Sequence, residues 1–344
     1  MIRFDSDYIE GAHENILKAL YETNFNQVVG YGKDEYCEKA RELIKKECEN
    51  TKVDIHFLVG GTQTNMTVIS SILKPYQGVI SATTGHINGH ETGAVESTGH
   101  KVLTVVGKDG KITAKQIEAI NQEHLDDASY EHAVQPGMVY ISYPTEIGTI
   151  YTKEELKDIY IVCKKNKLYL FIDGARMGYG LMAQGNAMSL KDISNLCDVF
   201  YIGGTKIGAL LGEAVVIVND ELKKDFRYSI KQKGGMLAKG RVLGIQFLTL
   251  FEDGLYFEIS KHAVEKSMEI KKAFMEKGFA FKCNSVTNQQ FPIIPNNKLA
   301  KLKDKYVYTF WEKYDENSSV IRFCTSWATT DESVKSLVED IKSL

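Results

Sequence analysis

The chain has 344 residues, of which 43% are hydrophobic and 25% charged, the balance of an ordinary water-soluble globular protein. Its formal net charge of −3 lacks the basic excess that a nucleic-acid partner requires, and no apolar run reaches membrane-spanning length. The opening MIRFDSDYIEG has no signal-peptide pattern, and six dispersed cysteines without a CxxC read as reduced thiols, so neither a disulfide frame nor a metal site is expected and a cytoplasmic location is.

In chain order, residues 1–11 read as an extended arm. A helix is expected over His13–Glu22 and an amphipathic one over Glu35–Glu49, where Tyr36, Ala40, Leu43 and Ile44 recur at helical spacing. A glycine-broken loop, Val29–Asp34, separates them. Strand-like and helix-like runs then alternate. Val53–Val59 leads into Gly60-Gly61-Thr62-Gln63-Thr64-Asn65 and an apolar helix to Leu73. Gly78–Ala82, Lys101–Val106, Met138–Ser142 and Leu168–Ile172 read as further strands. Thr113–Gln122 and Lys153–Asn166 read as helices, the second capped by Thr152 with Glu154 and Glu155 in its first turn. Such alternation predicts an α/β fold with a mostly parallel sheet and helices on both faces. Beyond Val218 the pattern changes. Helices are expected over Ala238–Phe251 and Tyr256–Lys277. Strand-like pieces follow at Phe279–Lys282, Gln289–Ile294, Tyr306–Trp311 and Ser319–Thr325, then a helix over Asp331–Leu344 with Asp331 as its cap. The division expected is an arm over 1–11, a large domain over 12–254 and a small α+β domain over 255–344.

The chemistry concentrates near DVFYIGGTKIGALLGEAVVIV, residues 198–218. Lys206 sits between two buried strand-like runs. A lysine is rarely buried without a partner, and a desolvated amine is what a Schiff-base catalyst needs. The plain alternative is a snorkelling lysine with its head in water. Gly61 and Thr62 open a helix after a strand, which makes an anion seat or an ordinary capped turn. Asp173, at a strand end in IDGAR, requires a cationic partner: Arg176 nearby, or the protonated ring nitrogen of a cofactor. His86 follows a strand and is a candidate to stack on that ring and move a proton, with His90 and His100 as rivals. Arg322, alternating with Ile321 and Phe323, is either a fork for a substrate carboxylate or part of an ion pair between domains. A lysine, an acid and an anion seat are together what pyridoxal 5′-phosphate needs.

This order of motifs resembles the fold-type I pyridoxal-phosphate enzymes, and within them the low-specificity threonine aldolase and β-eliminating lyase family. The resemblance runs from Phe4-Asp5-Ser6-Asp7 through Tyr31-Gly32-x-Asp34, Gly61-Thr62, His86 with Glu91, IDGAR and Lys206 to the Arg322 strand. It implies the aspartate aminotransferase fold, with a mostly parallel seven-stranded sheet between helices and a smaller C-terminal α+β domain. It also implies roles. Lys206 would hold the cofactor as a covalent aldimine and Asp173 would bond the pyridine nitrogen. Gly61 and Thr62 would seat the phosphate and His86 would stack on the ring. Ser6, Arg176 and Arg322 would grip the amino-acid carboxylate. Tyr31 would come from a neighbouring subunit, making a dimer the minimum and a tetramer the expected assembly. The implied activity is retro-aldol cleavage of a β-hydroxy-α-amino acid to glycine and an aldehyde. β-Elimination from a Cys-like or Ser-like amino acid is the nearest alternative, and a non-catalytic cofactor-binding protein is the alternative of another class. The chain departs from the family pattern at Ser142-Tyr143-Pro144-Thr145-Glu146, at Gly204-Thr205-Lys206-Ile207-Gly208, and at Leu237, where an arginine is usual and Lys239 or Arg241 is the expected substitute.

Overall fold

A computed structural model describes residues 1–344. The strands are β1 (Ile2–Arg3), β2 (Asp54–Leu58), β3 (Gln77–Ala82), β4 (Val102–Val105), β5 (Gln135–Ser142), β6 (Tyr169–Asp173), β7 (Val199–Gly203), β8 (Glu213–Ile217), β9 (Gln289–Gln290), β10 (Ile293–Pro295), β11 (Tyr306–Val307), β12 (Thr309–Lys313) and β13 (Ser318–Cys324). Seven of them form one sheet in the order β2-β8-β7-β6-β5-β3-β4. Only β8 runs against the rest, because the short turn after β7 returns the chain directly beside it. The other links in this sheet cross over through helices, as parallel pairing demands.

The sheet is buried on both faces, which is why its strands read as near-continuous apolar runs. Successive residues still part company. Val139, Ile141, Leu170, Ile172, Phe200 and Ile202 join the larger core, whereas Met138, Tyr140, Phe171, Val199 and Tyr201 join the second. The helices begin where side chains replace missing backbone acceptors. Thr113 with Gln116, and Thr152 with Glu155, form reciprocal capping boxes. Asp34, in the glycine-broken loop, caps Glu35–Glu47 by accepting the Cys37 N–H at 2.9 Å.

A third core, around Phe274, Ile321, Phe323 and Leu337, belongs to the C-terminal antiparallel sheet and its helices. The helix Leu255–Glu276 serves two cores: Tyr256, Ile259 and Ala263 pack into the first, Ile270, Ala273 and Phe274 into the third. The N-terminal segment also belongs to this end. β1 pairs in parallel with β11, and Phe4 is fully buried in the third core.

Several local expectations are corrected. Phe279–Lys282 forms no strand, only a bridge from Phe281 to Pro292. Gln289–Ile294 divides into β9 and β10 around Phe291-Pro292, since proline has no N–H to give a ladder. Tyr306–Trp311 likewise divides, its first half pairing with β1 and its second with β13. The last helix, Asp331–Ser343, is capped by Thr330, which accepts the Ser333 N–H, while Asp331 lies inside its first turn. No helix is long and apolar enough to cross a membrane, and all six cysteines are buried and unpaired.

Candidate active site

Four parallel strands deliver side chains to one edge of the sheet. β2 leads into Gly60-Gly61-Thr62, β3 into His86, β6 ends at Asp173, and β7 leads into Lys206. Ligands in open α/β sheets bind at this carboxyl edge. A cavity of about 220 Å³ lies there, and Gly61, Thr62, His86, Asp173, Arg176 and Lys206 all line it.

Asp173 is almost fully buried. Its Oδ2 accepts from the Tyr140 hydroxyl and from Asn65 Nδ2 at 3.2 Å, and its Oδ1 accepts the Ala175 N–H at 3.0 Å. Burial works against its charge. The positive field of His86 and the Tyr140 and Tyr201 hydroxyls outweigh that and hold the carboxyl below the usual carboxylate range. Gly174 makes the turn possible: a Cβ there would sit 1.9 Å from the Tyr201 carbonyl oxygen.

Lys206 follows a tight turn in which Gly204 and Thr205 both donate to the Gly212 carbonyl. Gly208, at φ +81°, takes the left-handed conformation that reverses the chain after it. Burial, with the Arg176 charge, lowers the basicity of the Lys206 amine; Asp7, Asp173 and Glu213 oppose the shift without cancelling it. This is the environment of a lysine poised to act as a nucleophile.

The helix Gly61–Ile72 starts in the cavity wall without a side-chain cap. The Gly61 and Thr62 N–H groups have no acceptor in the chain, so they and the helix dipole face the cavity as an anion seat. The fit to pyridoxal phosphate therefore rests on unsatisfied amides at one side, an ionised carboxylate at another and a buried amine between them.

His86 accepts or donates at Nδ1 with Glu91 at 2.7 Å, and Glu91 is in turn held by Asn65 Nδ2 at 2.7 Å. The ring is thus oriented through Asn65 toward Asp173. The rivals stand elsewhere: His90 lies outside the lining, its ring 5.6 Å from that of His86, and buried His100 bonds the Gln77 carbonyl at 2.9 Å.

Arg176 is not the partner of Asp173. Its fork closes on Asp7 at 2.6 and 2.9 Å, leaving the guanidinium at the cavity but already half engaged. Asp7 is fully buried, and the charges of Arg176 and Lys206 keep it ionised against the cost of burial. Ser6 and Arg322 do not line the cavity. Arg322 makes no ion pair; it donates to the Asp5 carbonyl at 2.7 Å, to Thr309 Oγ1 at 3.2 Å and to Gln289 Oε1 at 3.3 Å. The segment Asp5-Ser6-Asp7 consequently bridges the two arginines, and the Ser6 hydroxyl between them has no partner.

Tyr31 does not line this cavity. It lines a separate crevice with Arg227, Met236 and Leu237, and the Lys231 ammonium lies 5.3 Å from its ring centre. Arg241 is committed to the Asn24 and Asn26 carbonyls at 2.8 and 2.6 Å, whereas Lys239, two residues after Leu237, is exposed.

Two cavity carboxyls escaped the motif reading. Glu146, in the stretch that departs from the family pattern, accepts the His86 N–H at 2.9 Å and the Ser142 hydroxyl at 2.6 Å. Burial raises its pKa, partly offset by the Ser142 bond. Glu213 opens β8 in an otherwise apolar run. A charged residue inside a strand buried along its whole length was the available signal for it.

Comparison with known proteins finds relatives over the whole chain. The chain is 31% identical over 349 aligned residues to a low specificity L-threonine aldolase from Pseudomonas sp. (strain NCIMB 10558), covering 99% of this chain and 97% of that one. A solved structure titled as a threonine aldolase of Leishmania major superposes with a TM-score of 0.97 at 42% identity, covering 100% of this chain and 99% of the other. An aspartate aminotransferase from Thermus thermophilus, 13% identical, shares the fold at a TM-score of 0.72 over 99% and 96% of the two chains. The beta-eliminating lyase family model matches residues 4–294, most of the chain, and the chain belongs to that family.

Proposed function

We infer that the protein is a pyridoxal-phosphate-dependent aldolase that cleaves threonine or allo-threonine to glycine and an aldehyde. The observation that carries this is the convergence of Lys206, Asp173, His86 and the open start of Gly61–Ile72 on one cavity. The relatives named as threonine aldolases across nearly the whole chain favour this reaction over β-elimination.

In this reading Lys206 would hold the cofactor covalently, Gly61 and Thr62 would hold its phosphate, Asp173 would bond its ring nitrogen and His86 would stack on its ring. The cofactor, when bound, supplies the sink for the electrons of the breaking Cα–Cβ bond. The chain supplies orientation and proton transfer. Arg176, which lines the cavity, would receive the substrate carboxylate, and Ser6 and Arg322, outside the lining, would join it through a shift of the Asp5-Ser6-Asp7 segment that ties the two arginines together. His86, fixed by Glu91, takes the proton of the β-hydroxyl directly or through water.

Assembly and location complete the proposal. Tyr21, Phe25, Val29 and Tyr31 are 84%, 92%, 65% and 47% exposed, an apolar stretch suited to a second copy of the chain. Tyr31 then serves the neighbour's cavity in a dimer, and two dimers make a tetramer in the cytoplasm. Residues 12–254 act as the cofactor domain and 255–344, joined by the arm 1–11, as the domain that closes on substrate.

The test is direct. Purified protein given cofactor and L-threonine or L-allo-threonine should release glycine and acetaldehyde. Release of a keto acid and ammonia from cysteine or serine, without glycine from threonine, would replace the aldolase with an elimination enzyme. Lys206→Ala should abolish the visible absorbance of the bound cofactor; an unchanged band removes Lys206 from its role.

A further inference from the structure

Glu213 is the one carboxyl lining the cavity with an oxygen both buried and unpartnered. It is 3% exposed, and its Oε2 is sealed from solvent without a hydrogen bond. Its Oε1 accepts from the Thr205 hydroxyl at 3.1 Å, and Thr205 Oγ1 itself accepts the Gly212 N–H at 3.0 Å. The hydroxyl proton is thereby aimed at Glu213, and Thr205 adjoins Lys206. The topology explains the placement. β8 is the sole antiparallel strand, so its first residue falls at the edge where the parallel strands end, opposite Gly203 on one side and Leu58 on the other.

A buried carboxylate without a cation is too costly to persist, so Glu213 must be protonated or face a positive charge. Arg176 is taken by Asp7, and Asp173 has four donors of its own. The remaining cation is Lys206, which shares the cavity wall. Lys206 Nζ and Glu213 make no direct hydrogen bond; the Thr205 hydroxyl bonded to Glu213 belongs to the residue before Lys206.

We propose that Glu213 is a positioning residue for Lys206, its carboxyl taking the proton that Nζ releases and returning it when that nitrogen becomes cationic. One N–H bond breaks as one O–H bond forms, and the pair carries no net charge in either form, which suits a site of low dielectric. Burial supports the assignment by pushing the Glu213 carboxyl up to about 8. The other groups acting on the pair are Asp173, Asp7 and Arg176, with the Tyr201 and Tyr256 hydroxyls close to Glu213. None of them is altered in the test.

The inference rests on Lys206 carrying the cofactor, and the experiment separates the two. The full-length holoenzyme is titrated with acid and base while the absorbance of the bound cofactor is followed. Glu213→Gln keeps the acceptor for Thr205 but cannot be anionic, so the midpoint of the spectral change should fall by about one pH unit or more. Glu213→Asp should recover part of the shift. If the Gln variant does not fold, Glu213→Ser, neutral and smaller, carries the same expectation. An unchanged midpoint in the folded neutral variant overturns the role of Glu213. Persistence of the cofactor band in Lys206→Ala overturns the reading of Lys206 instead.

Discussion

Single side chains in this site are defined by what already holds them. His86 is oriented by Glu91, and Glu91 by Asn65, which also donates to Asp173. His86 and Asp173, the base and the ring-binding acid of the proposed reaction, are therefore coupled through one amide. His86→Asn should slow cleavage of threonine by about 10²-fold or more, the usual weight of a positioned base, while leaving the cofactor bound. Turnover assays with an absorbance spectrum check this, and unchanged turnover would hand the proton transfer to Glu146, whose carboxyl touches the His86 N–H. Arg176 shows the limit of reading residues singly. Its nearest acid in sequence is Asp173, three residues away, yet its fork closes on Asp7, 169 residues away. The ends of strands bring distant residues together more readily than neighbours whose side chains diverge.

Among the elements, the junction of β6 with the helix Met177–Leu181 governs the position of Asp173. Gly174 donates nothing chemically, but the Tyr201 carbonyl occupies the space of its missing Cβ. Gly174→Ala should push β6 and β7 apart, lowering unfolding free energy by about 1–3 kcal/mol and weakening cofactor retention. Denaturant unfolding with and without cofactor measures both; an alanine variant of parent stability would mean that the strands adjust freely. The elements of the parallel sheet were legible because fully buried strands and capped helices leave strong patterns, as at Thr152 with Glu155. The C-terminal strands were not. Phe279–Lys282 has strand-like composition but meets its neighbour only as a bridge at Pro292, whose missing N–H ends the ladder there.

At the scale of the molecule, the site needs both ends of the chain and, in the proposed dimer, a second copy. The arm pairs with β11 through β1, buries Phe4 in the third core and places Asp7 on Arg176, so the first seven residues join that core to the cavity. Tyr31 lies in its own chain's separate crevice. If it serves the partner's cavity, two weak variants should complement. Exchanging subunits between Tyr31→Ala and Lys206→Ala should raise activity above the sum of the separate proteins, because some sites then hold Tyr31 and Lys206 together. A strictly additive result would place Tyr31 outside the reaction.

The sequence by itself determined the alternation of strands and helices and the α/β fold that follows, and it singled out Lys206, Asp173 and the Gly61-Thr62 turn, which the structure places in one cavity lining, because burial and helix starts impose local, periodic demands on residue type. Only the tertiary structure decided that Arg176 belongs to Asp7, that His86 rather than His90 or His100 faces the cavity, and that Glu213 stands beside Lys206. Those pairings are made across strand order and direction, and the reversal of β8 alone moves a carboxyl from the far end of the sheet to the site.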